Sequence, residues 1–308
     1  MKIVIAGGTG FLGRPLTSGL LKDGHDIVVL SRGRAGAPPA DGAAAAAARS
    51  VAWDPNGEIG PWAREIEGAQ AVVNLAGESI AGKRWTAQQK QRILDSRVHA
   101  TRSLAAAIRA ANTPPAIFVS GSAVGFYGPL GDEVATEDRP AGSDFLARVC
   151  ERWEQEAIRA ASDRTRVVRV RTGIVLERDG GALPQMLPPF WFGAGGPVGS
   201  GRQYWPWIHR DDWVALVQWA IATPAAEGAI NATAPRPVTS KEFARALGRA
   251  LHRPAFMPAP AFALRLMLGE MADALLLSGQ NAVPAKAEHA GFAFRYARLD
   301  DALAAIFT

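Results

Sequence analysis

The stretch Lys2-Ile3-Val4-Ile5-Ala6-Gly7-Gly8-Thr9-Gly10-Phe11-Leu12-Gly13 decides the fold. Its first five residues are rich in β-branched side chains and predict a buried strand. Gly7, Gly10 and Gly13 follow at G-x-x-G-x-x-G spacing, and Phe11–Lys22 carries Leu12, Leu16, Leu20 and Leu21 at helical intervals. In a strand–turn–helix unit such glycines let the chain bend sharply, bring bare backbone up to a diphosphate, and pack helix against strand. The helix N-terminus adds unpaired N–H groups and positive potential. Gly7, Thr9, Gly10, Phe11, Leu12 and Gly13 are therefore the expected grip on the diphosphate of a dinucleotide.

The next strand, Asp26–Leu30, runs into Ser31-Arg32-Gly33-Arg34. A dinucleotide with a free ribose 2′-hydroxyl is usually met here by Asp or Glu. A hydroxyl and guanidinium groups instead suit a 2′-phosphate, held by paired N–H bonds. The expected cofactor is accordingly NADP(H), with Ser31 and Arg32 at the phosphate and Arg34 as the second arginine. Further apolar strands are expected at Val51–Trp53, Ala71–Leu75, Ile117–Ser120 and Arg166–Val170, with helices over Thr86–Ala111 and Ser143–Ala160. Continuous apolar strands alternating with helices predict a parallel sheet covered on both faces, an α/β, doubly wound Rossmann-type fold. Asn74-Leu75-Ala76-Gly77 closes the fourth strand with small residues. There the ribose and nicotinamide half of the cofactor can lie, though a plain turn is the alternative.

Regular helix is hard to place between Gly180 and Trp207, where Gly, Pro and aromatic residues crowd together. This segment is expected to supply substrate-cleft loops within a nucleotide-binding domain spanning residues 1–235. Helical patterns at Lys241–Leu251, Ala261–Leu277 and Leu299–Phe307 predict a small, mainly helical C-terminal lobe over residues 236–308.

The chain has 308 residues, 48% apolar and 20% charged, and a net charge of +5. No block of five or more Lys or Arg suggests a nucleic-acid or membrane patch. No apolar run approaches the roughly 20 residues of a spanning helix. With one cysteine, Cys150, and no signal peptide at the N-terminus, a cytoplasmic protein is expected, with Cys150 buried rather than reactive. Cys and His are too few at ligand spacing for a metal site. The expected partner is a small-molecule substrate, with the chain a monomer or homodimer.

Several blocks together resemble an atypical short-chain dehydrogenase/reductase, of the subfamily usually labelled "epimerase family protein". They are Gly7–Gly13, Ser31-Arg32, Trp53-Asp54-Pro55, Asn74–Glu78, Ser96-Arg97-Val98, Ser120–Gly128, Arg171–Leu176 and Trp207–Asp212. The resemblance runs from end to end and includes that subfamily's short C-terminal domain of unassigned role. It implies cofactor contacts from the N-terminal turn, Ser31, Arg32, Leu75, Ala76 and Arg97, with Thr172 near the nicotinamide. Read without it, Arg97 is equally a surface charge on a helix.

Active members of the wider superfamily pair a Ser with Tyr-x-x-x-Lys on the following helix. The Tyr transfers a proton, the Lys lowers its pKa, and the Ser polarises the substrate oxygen. Ser122 stands after the fifth strand, with Ser120 as its neighbour. The helix that should carry the pair reads Asp144-Phe145-Leu146-Ala147-Arg148-Val149-Cys150, with neither Tyr nor Lys. Tyr127 is the remaining tyrosine near the serine. It is either an acid or a packed ring whose hydroxyl is satisfied. Glu78, Lys83, Arg84, Arg171 and His209 are further ionisable candidates, and Asp211 or Asp212 is expected to cap the helix after His209. Two functions follow. One is an oxidoreductase or epimerase using Ser122 and Tyr127. The other is an NADP(H)-binding redox sensor or partner protein with little catalysis.

Overall fold

A computed structural model describes residues 1–33 and 48–308. Arg34 lies outside the described residues. In chain order the elements begin β1 (Lys2–Ala6), α1 (Gly13–Lys22), β2 (Asp26–Ser31), β3 (Arg49–Ala52), β4 (Ala71–Asn74), α2 (Ala87–Ala110) and β5 (Ile117–Ala123). They continue with β6 (Val134–Ala135), α3 (Phe145–Ile158), β7 (Arg166–Thr172), β8 (Ile174–Leu176), α4 (Leu183–Trp191), β9 (Tyr204–Trp205), β10 (Trp207–His209) and α5 (Arg210–Ala222). The chain closes with β11 (Gly228–Ala232), β12 (Val238–Thr239), α6 (Ser240–Leu251), α7 (Ala261–Leu268), α8 (Glu270–Ala272), β13 (Asn281–Ala282), α9 (Ala285–His289) and α10 (Leu299–Phe307).

Seven strands form one sheet in the order β11-β7-β5-β4-β1-β2-β3, and every pair is parallel. This is the Rossmann-type doubly wound sheet expected from the sequence. The alternating faces of its strands feed two cores. Ile3, Ile5, Val73 and Val119 pack with Leu16 of α1 and Trp213 of α5. Val4, Val72 and Phe118 pack with Leu104 and Ile108 of α2 on the other side. The strand order reverses between β1 and β4, which opens a crevice at the carboxyl ends where such sheets bind ligands.

The seventh strand was not among the expected ones. Its sequence, Gly-Ala-Ile-Asn-Ala, is short and only weakly apolar, and pairing of its full length with Val168–Thr172 of β7 stabilises it. The segment after Gly180 also differs from expectation, because α4 forms despite Pro184, Pro188 and Pro189. Pro184 lies near the helix start, where its missing N–H costs little, and Leu183, Leu187 and Phe190 are buried in a third core with Phe243 and Leu247 of α6. The Ala261–Leu277 pattern does not make one helix. It breaks at Gly269, whose φ of +62° is left-handed.

The C-terminal residues return to the sheet. Strand β13 pairs with β6, Ala287 joins the first core, and buried Asp212 accepts N–H bonds from Arg295 and Tyr296, both at 2.8 Å. Asp212 therefore docks this tail and does not cap α5. His209 is the cap, its Nδ1 accepting the Asp211 N–H at 3.0 Å. Burial lowers its pKa, which favours the neutral ring that this acceptor role uses.

Candidate functional site

Two glycines make the turn after β1 possible. Gly7 has φ +82°, and a Cβ there would lie 2.8 Å from the Leu75 carbonyl carbon. A Cβ on Gly13 would lie 2.1 Å from the Gly7 oxygen. The turn thus packs against the end of β4 with no room for side chains. Gly10 is exposed, and a Cβ there would meet only the Gly7 oxygen, at 3.3 Å. No side chain caps α1. The helix start is therefore left open to an anion.

At the end of β2, Ser31 is half-buried and its Oγ accepts the Gly33 N–H at 3.2 Å, curling the chain back. Arg32 stands exposed beside it. Beyond β4, Asn74 shapes the wall of the crevice. Its Nδ2 donates to Thr101 Oγ1 at 2.8 Å, and its Oδ1 accepts the Ala76 N–H at 3.1 Å. Leu75 and Ala76 are half-buried and Gly77 is exposed.

Arg97 of α2 lies directly behind Gly77, whose Cβ would meet the guanidinium carbon at 3.2 Å. Its Nη1 donates to the carbonyls of Glu78 and Ile93 at 2.9 and 3.1 Å, and the group stacks over Trp153 at 5.2 Å. No ion pair to a carboxylate involves Arg97 among the described residues, and burial lowers its pKa. The half-buried guanidinium is thus held by carbonyls and a ring face beside Gly77. Thr172, at the end of β7, donates to the Val170 carbonyl and accepts from Trp213 Nε1 at 3.1 Å. Lys83 and Arg84 are exposed, and Arg84 lies against Gly269.

Ser122 and Tyr127 belong to something the sequence did not reveal, a buried chain of polar side chains beneath the carboxyl ends of β5, β7 and β11. Ser122 Oγ donates to Glu154 Oε1 at 2.7 Å. Arg171 grips Glu154 with two bonds, Nε to Oε1 at 2.8 Å and Nη2 to Oε2 at 3.0 Å, and Arg169 adds a third at 3.1 Å. Arg171 Nη1 also donates to Tyr127 Oη at 3.0 Å, and Tyr127 donates to Asn231 Oδ1 at 2.7 Å. Asn231 N–H in turn donates to Glu137 at 3.0 Å. Tyr127 is 2% exposed, its ring packs on Phe126, and burial raises its pKa. Of the two expectations for Tyr127, an acid or a packed ring with a satisfied hydroxyl, the geometry has the features of the second: the hydroxyl has a donor and an acceptor and is buried. Cys150 is buried beside this network, its thiol pushed up to about 12.

Glu154, Asn231 and Glu137 were missed in the sequence. The signal was present on β7, where Arg169 and Arg171 occur inside a strand of buried apolar residues. Arginines within a buried strand need acceptors, best a carboxylate, and Glu154 on the preceding helix was the partner to seek.

Fold and turn define the protein as a dinucleotide-binding α/β protein of the Rossmann type. The family model described as the NAD dependent epimerase/dehydratase family matches residues 3–232, and a domain of unknown function (DUF1731) matches residues 259–306. An Arabidopsis thaliana relative, the chloroplastic homolog of epimerase family protein SDR39U1, is 42% identical over 99% of this chain and 86% of its own. Epimerase family protein YfhF of Bacillus subtilis is 38% identical over 98% of each chain. The crystal structure of human epimerase family protein SDR39U1 with NADPH superposes with a TM-score of 0.88, at 36% identity and 99% coverage of both chains. The chain belongs to the NAD dependent epimerase/dehydratase family.

Proposed function

We infer that this protein is an NADP(H)-dependent oxidoreductase or epimerase-like enzyme acting on a small carbonyl or sugar-like molecule. The observation that carries the reading is an uncapped glycine turn facing a β2 end that offers Ser31 and Arg32 and no carboxylate. The NADPH in the human relative supports it. The amides around Gly7–Gly13 hold the diphosphate, and Arg32 takes the 2′-phosphate. Leu75, Ala76 and Gly77 line the ribose and nicotinamide half, with Arg97 at one side and Thr172 beyond.

When bound, the dinucleotide supplies or accepts a hydride. Ser122 donates its hydroxyl hydrogen to Glu154, so its part in catalysis would be to position a substrate through the acceptor capacity its oxygen retains. Water carries the proton that Tyr127 does not. The substrate is a small molecule, met by a monomer or homodimer in a reducing compartment such as the cytoplasm. A second reading, a cofactor-binding sensor with little turnover, is favoured by the closed hydrogen bonds of Ser122 and Tyr127.

Calorimetric titration of nucleotide-stripped protein tests the cofactor reading. Arg32→Ala is expected to weaken NADPH by about 1.5–3 kcal/mol, the usual worth of hydrogen bonds to a charged group, and to leave NADH within about twofold. Equal loss for both nucleotides would sink the assignment. The reduced nicotinamide's absorbance, followed against a panel of carbonyls and sugar nucleotides, separates enzyme from sensor. Turnover lost in Ser122→Ala and kept in Tyr127→Phe fits the enzyme reading.

A further inference from the structure

Large apolar side chains stand in water mainly in two neighbouring segments. One holds Trp191 and Phe192 at the end of α4, which are 55% and 86% exposed. The other holds Phe256 and, on α7, Phe262, Leu266 and Met267, all at least 70% exposed. Backbone bonds tie the segments side by side: Met257 N–H to Gly195 O at 3.1 Å, Ala259 N–H to Pro197 O at 2.9 Å, and Gly199 N–H to Ala259 O at 2.9 Å. Helix α7 starts two residues further on. Its sequence, Ala-Phe-Ala-Leu-Arg-Leu-Met-Leu, would suit a core, yet none of its eight residues is buried.

Cations flank this ridge. Arg245, Arg249 and Arg253 surround one open hollow that His252 and Phe256 also line, and Arg265 projects from α7. Asp300 pairs with Arg249 at 2.5 Å and Asp273 with Arg265 at 2.9 Å. Arg245 and Arg253 make no ion pair among the described residues, so the face carries excess positive charge.

We propose that this ridge docks the protein on an anionic lipid surface. Apolar side chains on a short helix, with arginines around them, are the features of a peripheral segment that enters the boundary between headgroups and acyl chains. No helix among the described residues is long and apolar enough to cross a membrane, which fits surface attachment. A bilayer takes a protruding ridge without needing a matching groove. A second copy meeting the same face would bring two positively charged surfaces together, which is unfavourable. The sequence expectation of no membrane patch rested on contiguous basic runs and spanning segments. Here the patch assembles from residues 191–192 and 245–267.

Sedimentation of the whole protein with vesicles tests the proposal. Binding is expected to vesicles of phosphatidylcholine mixed with phosphatidylglycerol, and to be weaker with phosphatidylcholine alone. The exposed double variant Phe262→Ser, Leu266→Ser should lose about tenfold or more in partitioning, from the apolar area withdrawn. Arg245→Glu, Arg253→Glu should remove the preference for anionic vesicles. Unchanged NADPH affinity in both variants confirms that they fold. Absence of binding to either vesicle overturns the proposal. So does wild-type binding by the Phe262→Ser, Leu266→Ser variant. Sedimentation velocity showing a dimer that this variant abolishes would give the face to a second copy instead.

Discussion

Two regions a few residues from the same crevice are built on opposite plans. The glycine turn after β1 is made of backbone, closed tightly on its inner side and open outwards at Gly10 and the uncapped start of α1. The polar chain from Ser122 to Glu137 is made of side chains, buried, with its charges and hydroxyls spent on one another. The first leaves donors unsatisfied where a ligand can reach them. The second uses its donors and charges internally, leaving at most the Ser122 oxygen to a ligand, and gives in exchange a fixed arrangement of β5, β7, β11 and the C-terminal segment. Polar residues near a crevice are thus not equivalent evidence for chemistry. What matters is whether their hydrogen-bonding capacity is still open.

The largest test of this contrast is Glu154→Ala. It leaves Arg171, buried with it, and Arg169 without their carboxylate, and a loss of about 3–5 kcal/mol in unfolding free energy is expected by urea titration. Stability within about 0.5 kcal/mol of wild type would show that the network is not a brace. Next comes Gly13→Ala, which forces a Cβ against the Gly7 oxygen. NADPH affinity should fall about a hundredfold, some 2.8 kcal/mol, by calorimetry. An unaffected affinity would mean that the turn does not hold the diphosphate.

Tyr127→Phe should separate the two regions cleanly. It removes the donor to Asn231 and costs about 1–2 kcal/mol of stability, while NADPH affinity stays within about twofold. A large loss of binding with little loss of stability would reverse the contrast.

The smallest effect concerns His209. Its folded pKa lies below the ordinary 6.5, with burial as the main cause. The unfolded chain therefore binds the proton more readily, and the contribution to stability falls as pH drops from about 6.5 towards the lowered folded value. His209→Asn, which retains a capping side chain, should flatten that part of the stability–pH curve. An unchanged slope would show that the ring titrates normally in the folded protein.

The sheet was legible because its signals are contiguous. Lys2–Gly13 contains strand, turn and helix start in sequence, and the long helix after β4 begins where expected, at Thr86, whose side chain accepts the Gln89 N–H. Where a partner lay far along the chain, the reading stopped. Asp211 and Asp212 were natural caps for α5, yet His209 took that position because Asp212 had a stronger claim from the Arg295 and Tyr296 amides. Pro188 and Pro189 argued against a helix, and burial of Leu187 and Phe190 outweighed them.

By itself, then, the sequence determined the nucleotide-binding turn, the parallel sheet around it and the absence of an acid at the end of β2, because these depend on local backbone conformation and on residues adjacent in the chain. Only the tertiary structure decided that Tyr127 is locked to Asn231, that Ser122 donates its hydrogen bond to Glu154, and that α7 keeps its apolar side chains in water. Those outcomes join residues as far apart as 127 and 231, and whether a polar group is open or spent depends on neighbours that only folding brings within about 3 Å.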